Sequence, residues 1–223
     1  MLYKLAHILR DRFGFLWNII EWCNAFVFAL THGSALRKIP GILEECSGQF
    51  TLRVAAPADA APLAAFFAEQ PEEAFRFFKP HAFDEKTLSK IIRNKAFLTF
   101  LVLDGEKIVG YFFLRCFVNG KSFRGKIVDY RYRGNGIAKL QGLAATKVAS
   151  VLEMRVFGTI SPENYASLAS SKAVNEVRIV KTLENGYYYI EYLPKKDDKI
   201  WCALALVCAF LQETWFILVA KEV

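Results

Sequence analysis

Arg131-Tyr132-Arg133-Gly134-Asn135-Gly136 is the segment of this chain best suited to hold an anion. An apolar, β-prone run ending at Val128 leads into it. After it, Ile137, Leu140, Ala144, Val148 and Val151 recur at the spacing of one helix face. A strand that turns through glycines into a helix leaves the first helical N–H groups without partners. It also points the positive end of the helix dipole at the turn and lets a ligand approach the backbone closely. That is phosphate-binding chemistry, and the flanking Arg131 and Arg133 add charge to it. For proton transfer, His81 is the side chain best tuned to neutral pH. It stands in the loop Phe77-Phe78-Lys79-Pro80-His81-Ala82-Phe83-Asp84. Asp129, just before the turn, is expected to pair with an arginine or fix the turn. Tyr111 and Arg115 share one face of a strand, but alternation does not say which face.

The charge is concentrated around this turn. Between Lys121 and Lys181 eleven lysines and arginines stand against four acids, which accounts for the whole net charge of +7. Such a local field favours a polyanionic ligand. No basic run interleaved with aromatics points to nucleic acid. The five cysteines, Cys23, Cys46, Cys116, Cys202 and Cys208, are odd in number and form no CxxC pair. That spacing suits reduced thiols in a cytoplasmic compartment better than a disulfide scaffold or zinc site. His7, His32 and His81 are scattered, so no metal site is expected.

The elements that must position these residues lie between 49 and 193. Phe50 to Val54, Phe97 to Leu103, Lys107 to Cys116 and Met154 to Ile160 read as strands. Asp104-Gly105 is a hairpin signal, and Glu184-Asn185-Gly186 joins a last hairpin, Val177 to Leu183 with Tyr187 to Tyr192. Helices are expected after Pro57-Ala58-Asp59, after Asp84, after the glycine turn and after Pro162-Glu163-Asn164. The result is a mixed, mostly antiparallel sheet with helices on its faces.

The two ends read differently. Residues 1–48 form an N-terminal helical region. It begins with a basic amphipathic stretch (Lys4, Arg10, Arg12) and runs into the apolar Phe13 to Leu30. Asn18, Glu21 and Asn24 recur there at intervals of three and make one narrow polar stripe. That stripe suits a helix lying in a membrane interface, packed on a partner, or covering the domain's own core. The segment is a poor signal peptide and a weak membrane span. Residues 194–223 begin with the charged Lys195 to Lys199 and continue as an apolar tail, Ile200 to Ala220, interrupted by Gln212, Glu213 and Thr214. A buried Glu213 would disfavour spanning, so a surface or interface segment is expected.

With its strand order, the glycine turn resembles the GNAT superfamily of acyl-CoA N-acyltransferases. The family motif Arg/Gln-x-x-Gly-x-Gly/Ala stands here as Arg131 to Gly136. A second family motif, an Asn followed three residues later by a small residue, is matched by Asn164 and Ser167. The resemblance covers about Phe50 to Tyr192. It implies an α/β (α+β) GNAT fold that binds acetyl-CoA between the fourth and fifth strands. Turn amides from Arg133 through Gly134, Asn135, Gly136 and Ile137 to Ala138 would take the pyrophosphate. A bulged strand near Ile127 and Val128 would pair with the pantetheine. The chain departs from the family pattern at Ser171, where many members place the Tyr that reprotonates the thiolate. It departs again at Asn175-Glu176, where Gly-Phe is usual.

The resemblance implies an N-acetyltransferase with acetyl-CoA as co-substrate and a small amine as acceptor. An amino group on a nucleotide-linked sugar for surface glycan is the leading acceptor, and a protein amine or polyamine is the alternative. A non-catalytic module that binds acyl-CoA is the reading from another class. His81 is the candidate base. No nucleic-acid partner is expected, and the apolar ends leave peripheral membrane contact or self-association open.

Overall fold

The computed structural model describes residues 14–195. The basic stretch of residues 1–12 and the tail from Ile200 to Ala220 lie outside the described residues. By contacts the chain divides into Met1–Leu193 and Pro194–Val223, so the N-terminal helices share one compact unit with the sheet.

Helices α1 (Gly14–Leu36) and α2 (Ile39–Cys46) precede strand β1 (Thr51–Val54). A 3-10 turn at Pro57–Asp59 opens α3 (Ala60–Ala68), and α4 (Glu85–Arg93) follows the His81 loop. Strands β2 (Phe97–Asp104), β3 (Lys107–Phe117) and β4 (Lys121–Val128) form an antiparallel meander. Then come α5 (Ile137–Val151), β5 (Arg155–Ile160), α6 (Tyr165–Val174) and the hairpin β6 (Asn175–Thr182) and β7 (Tyr188–Pro194). The seven strands lie in the order β1-β2-β3-β4-β5-β7-β6.

The central strands are buried on both faces, and alternation along β3 assigns each side chain to one of them. Phe112, Leu114 and Cys116 join the core beneath α1, α2 and α5, with Phe28, Leu43 and Val148. Tyr111 and Phe113 point the other way, into a second core with Leu63, Phe67 and Leu88 of α3 and α4. Among these strand pairings β4 and β5 alone are parallel. They pair only through Lys121↔Arg155, Ser122↔Val156 and Phe123↔Phe157. Beyond Phe123 the two strands part.

One expectation is corrected here and one is narrowed. The strand before the turn is splayed rather than bulged: β3 and β4 keep one register from Gly110↔Val128 to Phe117↔Lys121. The irregularity falls instead between β2 and β3, at Val102/Leu103. Of the readings of α1, the helix that covers the domain's own core is the one found: Phe28 is buried in that core, and the polar stripe bonds to the rest of the chain. Asn24 donates from Nδ2 to the Cys116 carbonyl at 2.9 Å and accepts from the Val118 N–H at 3.1 Å. Glu21 pairs with Arg115 at 2.9 Å, and Asn18 accepts from Lys90 at 2.9 Å. The outward face is apolar, with Phe15, Trp22 and Leu30 exposed by 76%, 64% and 69%. The helix is inverted because the end of the β3–β4 hairpin offers backbone groups that need partners, and the stripe supplies them. No helix among the described residues is long and apolar enough to cross a membrane.

Candidate functional site

The parting of β4 from β5 opens a cleft of about 980 Å³ through the sheet. One mouth is the glycine turn and the start of α5, and the other is the Glu73–Phe78 segment ahead of the His81 loop. The volume suits a cofactor-sized ligand.

At the first mouth, Gly134 and Gly136 have φ of +88° and +79°. Nothing lies within 4 Å of where a Cβ would stand at either, so glycine is required by conformation and not by crowding. Gly136 is the N-cap of α5 and no side chain caps this end. The N–H groups of Ile137 and Ala138 therefore stay free for an anion. Arg133, Gly134, Gly136, Ile137 and Ala138 all line the cleft.

Arg131 and Asn135 are not among the lining residues. Arg131 spends its guanidinium on Asp129, from Nε at 2.9 Å and Nη2 at 2.7 Å, and reaches Glu69 of α3 at 2.6 Å. Burial alone would raise the Asp129 carboxyl, but hydrogen bonds from Arg131 outweigh it and hold the group below its ordinary range. The first arginine of the motif thus braces the turn, leaving Arg133 to face the cleft. Asn135 turns back to donate to the Tyr132 carbonyl at 3.3 Å.

On the walls, Ile127, Val128, Asn164 and Ser167 line the cleft. The Ile127 carbonyl already accepts from Gln141 Nε2 at 3.0 Å. Asn164 is the N-cap of α6, and its Oδ1 accepts the Ser167 N–H at 3.1 Å. The Asn-to-Ser spacing is therefore that of a capped helix start. Gly125 leaves room for aromatic rings on the other face: an added Cβ would stand 2.4 Å from Phe113 and 3.2 Å from Phe78. Arg76 and Glu163, at 2.5 Å, join the segment before the His81 loop to the loop before α6.

His81 stands apart from the cleft wall. Its Nδ1 lies 2.8 Å from the Ala82 carbonyl and its Nε2 2.8 Å from the Tyr111 hydroxyl. A carbonyl only accepts, so Nδ1 carries the proton and Nε2 accepts from Tyr111. Rings of Phe67, Phe83, Phe97 and Phe113 surround it. Burial lowers its pKa, partly offset by the bond to Ala82, which favours the neutral ring. Burial also raises Tyr111 well above its ordinary value.

Two residues that the sequence reading passed over hold the base of the cleft. Lys126 and Arg124 alternate on β4 and point between α5 and α6. Lys126 Nζ donates to the Ala138 carbonyl at 2.7 Å and to Ser170 Oγ at 3.0 Å. Burial, then the nearby Arg124 charge, pushes it down to about 7. Arg124 is 8% exposed and donates to Asn175 Oδ1 at 2.9 Å, Ser171 Oγ at 3.4 Å and the Gly142 carbonyl at 3.5 Å. Both positions at which the chain departs from the resembled pattern, Ser171 and Asn175, are therefore bonded to Arg124. The available signal was two cations at alternate positions of a strand that also carries Lys121 and Ser122, which reads equally well as a solvent face.

No family model matches the chain, and no curated protein matches it. Solved structures do. The GNAT domain of S. lividans PAT is 15% identical, over 64% of this chain and 89% of that one, with a TM-score of 0.56. The ribosomal-protein-S5-alanine acetyltransferase from Vibrio fischeri is 17% identical, over 69% and 97%, with a TM-score of 0.53. Mycobacterium smegmatis RimJ, in complex with CoA-disulfide, is 15% identical, over 67% and 84%, with a TM-score of 0.53.

Proposed function

The chain has the GNAT fold, and on that premise we propose that it transfers an acetyl group from acetyl-CoA to a primary amine. The observation that carries this reading is the cleft. β4 and β5 part beside a glycine turn whose helix N-terminus is uncapped. An anion-bearing ligand enters at that mouth, and its amide-bearing arm lies along the open edge of β4. The amine enters from the opposite mouth, where Glu73 attracts its charged form.

The cleft carries Arg124, Lys126, Arg133 and Lys139 against Glu73 and Glu163. A polycationic acceptor is poorly matched to that balance. A single amine on an anionic carrier, such as a nucleotide-linked amino sugar, is better matched. His81 takes the amine proton through Tyr111 and water. With His81 in that role, His81→Gln lowers kcat/KM by about 100-fold or more without a matching loss of stability. A turnover screen of acetyl-CoA against amino-sugar nucleotides, polyamines and peptide amines tests the whole reading. Turnover of polyamines alone would refute the acceptor assignment.

A second reading is favoured by the position of His81 behind the wall. Residues 49–193 then serve as an acyl-CoA-binding module without turnover, which tight acetyl-CoA binding with a blank acceptor screen would reveal. In either case the outward apolar face of α1 meets a lipid surface or another copy of the chain at a cytoplasmic location. Flotation with anionic vesicles and sedimentation velocity separate those two.

A further inference from the structure

Arg124 is buried and Lys126 partly buried, and the fold supplies neither with a counter-charge. Among the described residues neither makes an ion pair. Every partner of the Arg124 guanidinium is neutral: an amide oxygen, a hydroxyl, a carbonyl and the Tyr192 ring. Its Nε has no partner at all. Lys126 commits two of its three donors, to Ala138 and Ser170, which leaves one. Helices α5 and α6 close tightly around the pair. A Cβ on Gly142 would stand 2.8 Å from Val174 and 3.7 Å from Lys126 Nζ.

Leaving a buried cation without an anion costs several kcal/mol. A lysine can escape by losing its proton, but a guanidinium cannot. The arrangement is therefore incomplete without an anionic ligand, and both side chains line the cleft. Lys126 reaches the first turn of α5 at Ala138 and Arg124 reaches Gly142 one turn on. If the glycine turn holds the pyrophosphate, the arm that leaves it passes this pair, and the anion that forms along it is the one that acyl transfer creates.

We propose that Arg124 and Lys126 form a thiolate site, in which they hold the leaving sulfur of coenzyme A and Lys126 gives it a proton. This rests on the acyl-transfer reading above. The amine nitrogen attacks the thioester carbon, the C–N bond forms, and the C–S bond breaks with its electron pair passing to sulfur. A proton moves from Lys126 Nζ to sulfur, which yields the free thiol and a neutral lysine. The proton shed by the acylated nitrogen leaves through the acceptor mouth to His81 or water, and Lys126 regains its own from solvent. The depressed pKa of Lys126 suits this cycle, because the group exchanges both forms near neutrality. The charged and titratable groups around it are few. Arg124 shares its strand, Tyr192 comes from β7, and α5 and α6 contribute Lys139 and Lys172 on their exposed sides. Glu163 is engaged by Arg76. The hydroxyl of Ser171, too short to deliver a proton across the cleft, instead anchors the guanidinium.

The test uses the full chain and follows the ultraviolet absorbance of the bound coenzyme A thiolate against pH, with desulfo-coenzyme A as the control ligand. The bound thiol is expected to titrate at least roughly one unit below the free thiol, a tenfold gain in thiolate at a given pH. Lys126→Met abolishes most of that shift and lowers turnover by about 100-fold. Lys126→Arg keeps the shift, since it keeps the charge, but still loses turnover. Because the wild-type titration stands alone, the outcome does not depend on any variant folding. An unshifted thiol with normal coenzyme A binding overturns the thiolate site and leaves acyl transfer standing. So does a preference for acyl thioesters ending in a carboxylate with no thiol shift, which would assign the anion to the acyl chain. If neither coenzyme A nor its desulfo analogue binds, the acyl-transfer reading itself fails.

Discussion

The Arg124 guanidinium lies 3.2 Å from the centroid of the Tyr192 ring. A strand at the centre of the sheet thereby lays a cation on an aromatic ring two strands away, across the base of the cleft. Such a desolvated contact contributes about 2 kcal/mol and brings no negative charge with it.

Arg124→Met is accordingly expected to leave thermal stability unchanged or to raise it by about 1 kcal/mol. Removing an uncompensated buried cation offsets the lost stacking and hydrogen bonds. Coenzyme A affinity should fall by roughly tenfold, the cost of losing one charged contact. Thermal melts and calorimetric titration on the same preparation check both. A large destabilisation would mean that the guanidinium is chiefly structural.

Lys126 predicts a pH dependence of stability with a defined sign. Unfolded, the amine keeps its proton up to its ordinary value of 10.5, whereas folded it releases it at about 7. Between those values the unfolded chain binds more protons, so this residue makes stability rise with pH across that window. The cost of burying its charge is fully present below pH 7. Lys126→Met removes that cost and should stabilise the protein on the acid side by up to about 4 kcal/mol, less the hydrogen bonds to Ala138 and Ser170. The gain should vanish near pH 10. Melts of both proteins at several pH values test this, and a pH-independent gain would exclude charge burial as the cause.

Gly136→Ala should separate conformational strain from crowding. Open space surrounds the position, and its φ of +79° is the obstacle. A stability loss of about 1–2 kcal/mol is expected from holding alanine there. Coenzyme binding should weaken further if the turn relaxes to negative φ and its amides swing away. Binding that is unaffected by both Gly136→Ala and Gly134→Ala would remove the turn from the site.

On α1, opposite effects are expected from neighbouring residues. Asn24→Ala leaves the Cys116 carbonyl and the Val118 N–H without partners and should cost about 1–3 kcal/mol. Trp22→Ser, on the exposed face, should cost well under 1 kcal/mol and reduce vesicle flotation or self-association. Hydrogen exchange at the β3–β4 turn should rise only in the first variant.

Much of the frame was legible in the sequence. Periodicity located the meander, the glycine turn, α5 and the final hairpin, because each carries a local signal. The start of α6 was legible through its cap. The inverted helix α1 was not. Spacing identifies a stripe, but whether water or unpaired backbone faces it depends on what the rest of the chain presents. The division of labour between Arg131 and Arg133 was hidden as well, since it depends on Glu69, which lies 62 residues earlier in the chain. Lys126 was hidden because its burial follows from the packing of α5 and α6 over that face of β4, a tertiary event that leaves no trace in the local pattern.

The short pairing between β4 and β5 has one more consequence. Past Phe123 the sheet is a structure with a strand left out, protected from other chains because the gap lies inside the fold. Occupying the gap is then the final step of assembly as much as an act of recognition. A ligand seated there at roughly 100 times its dissociation constant would add about 2.7 kcal/mol to the stability of the whole domain. The melting temperature of this protein should therefore rise with the concentration of whatever ligand fills the gap, and acetyl-CoA is the first to try.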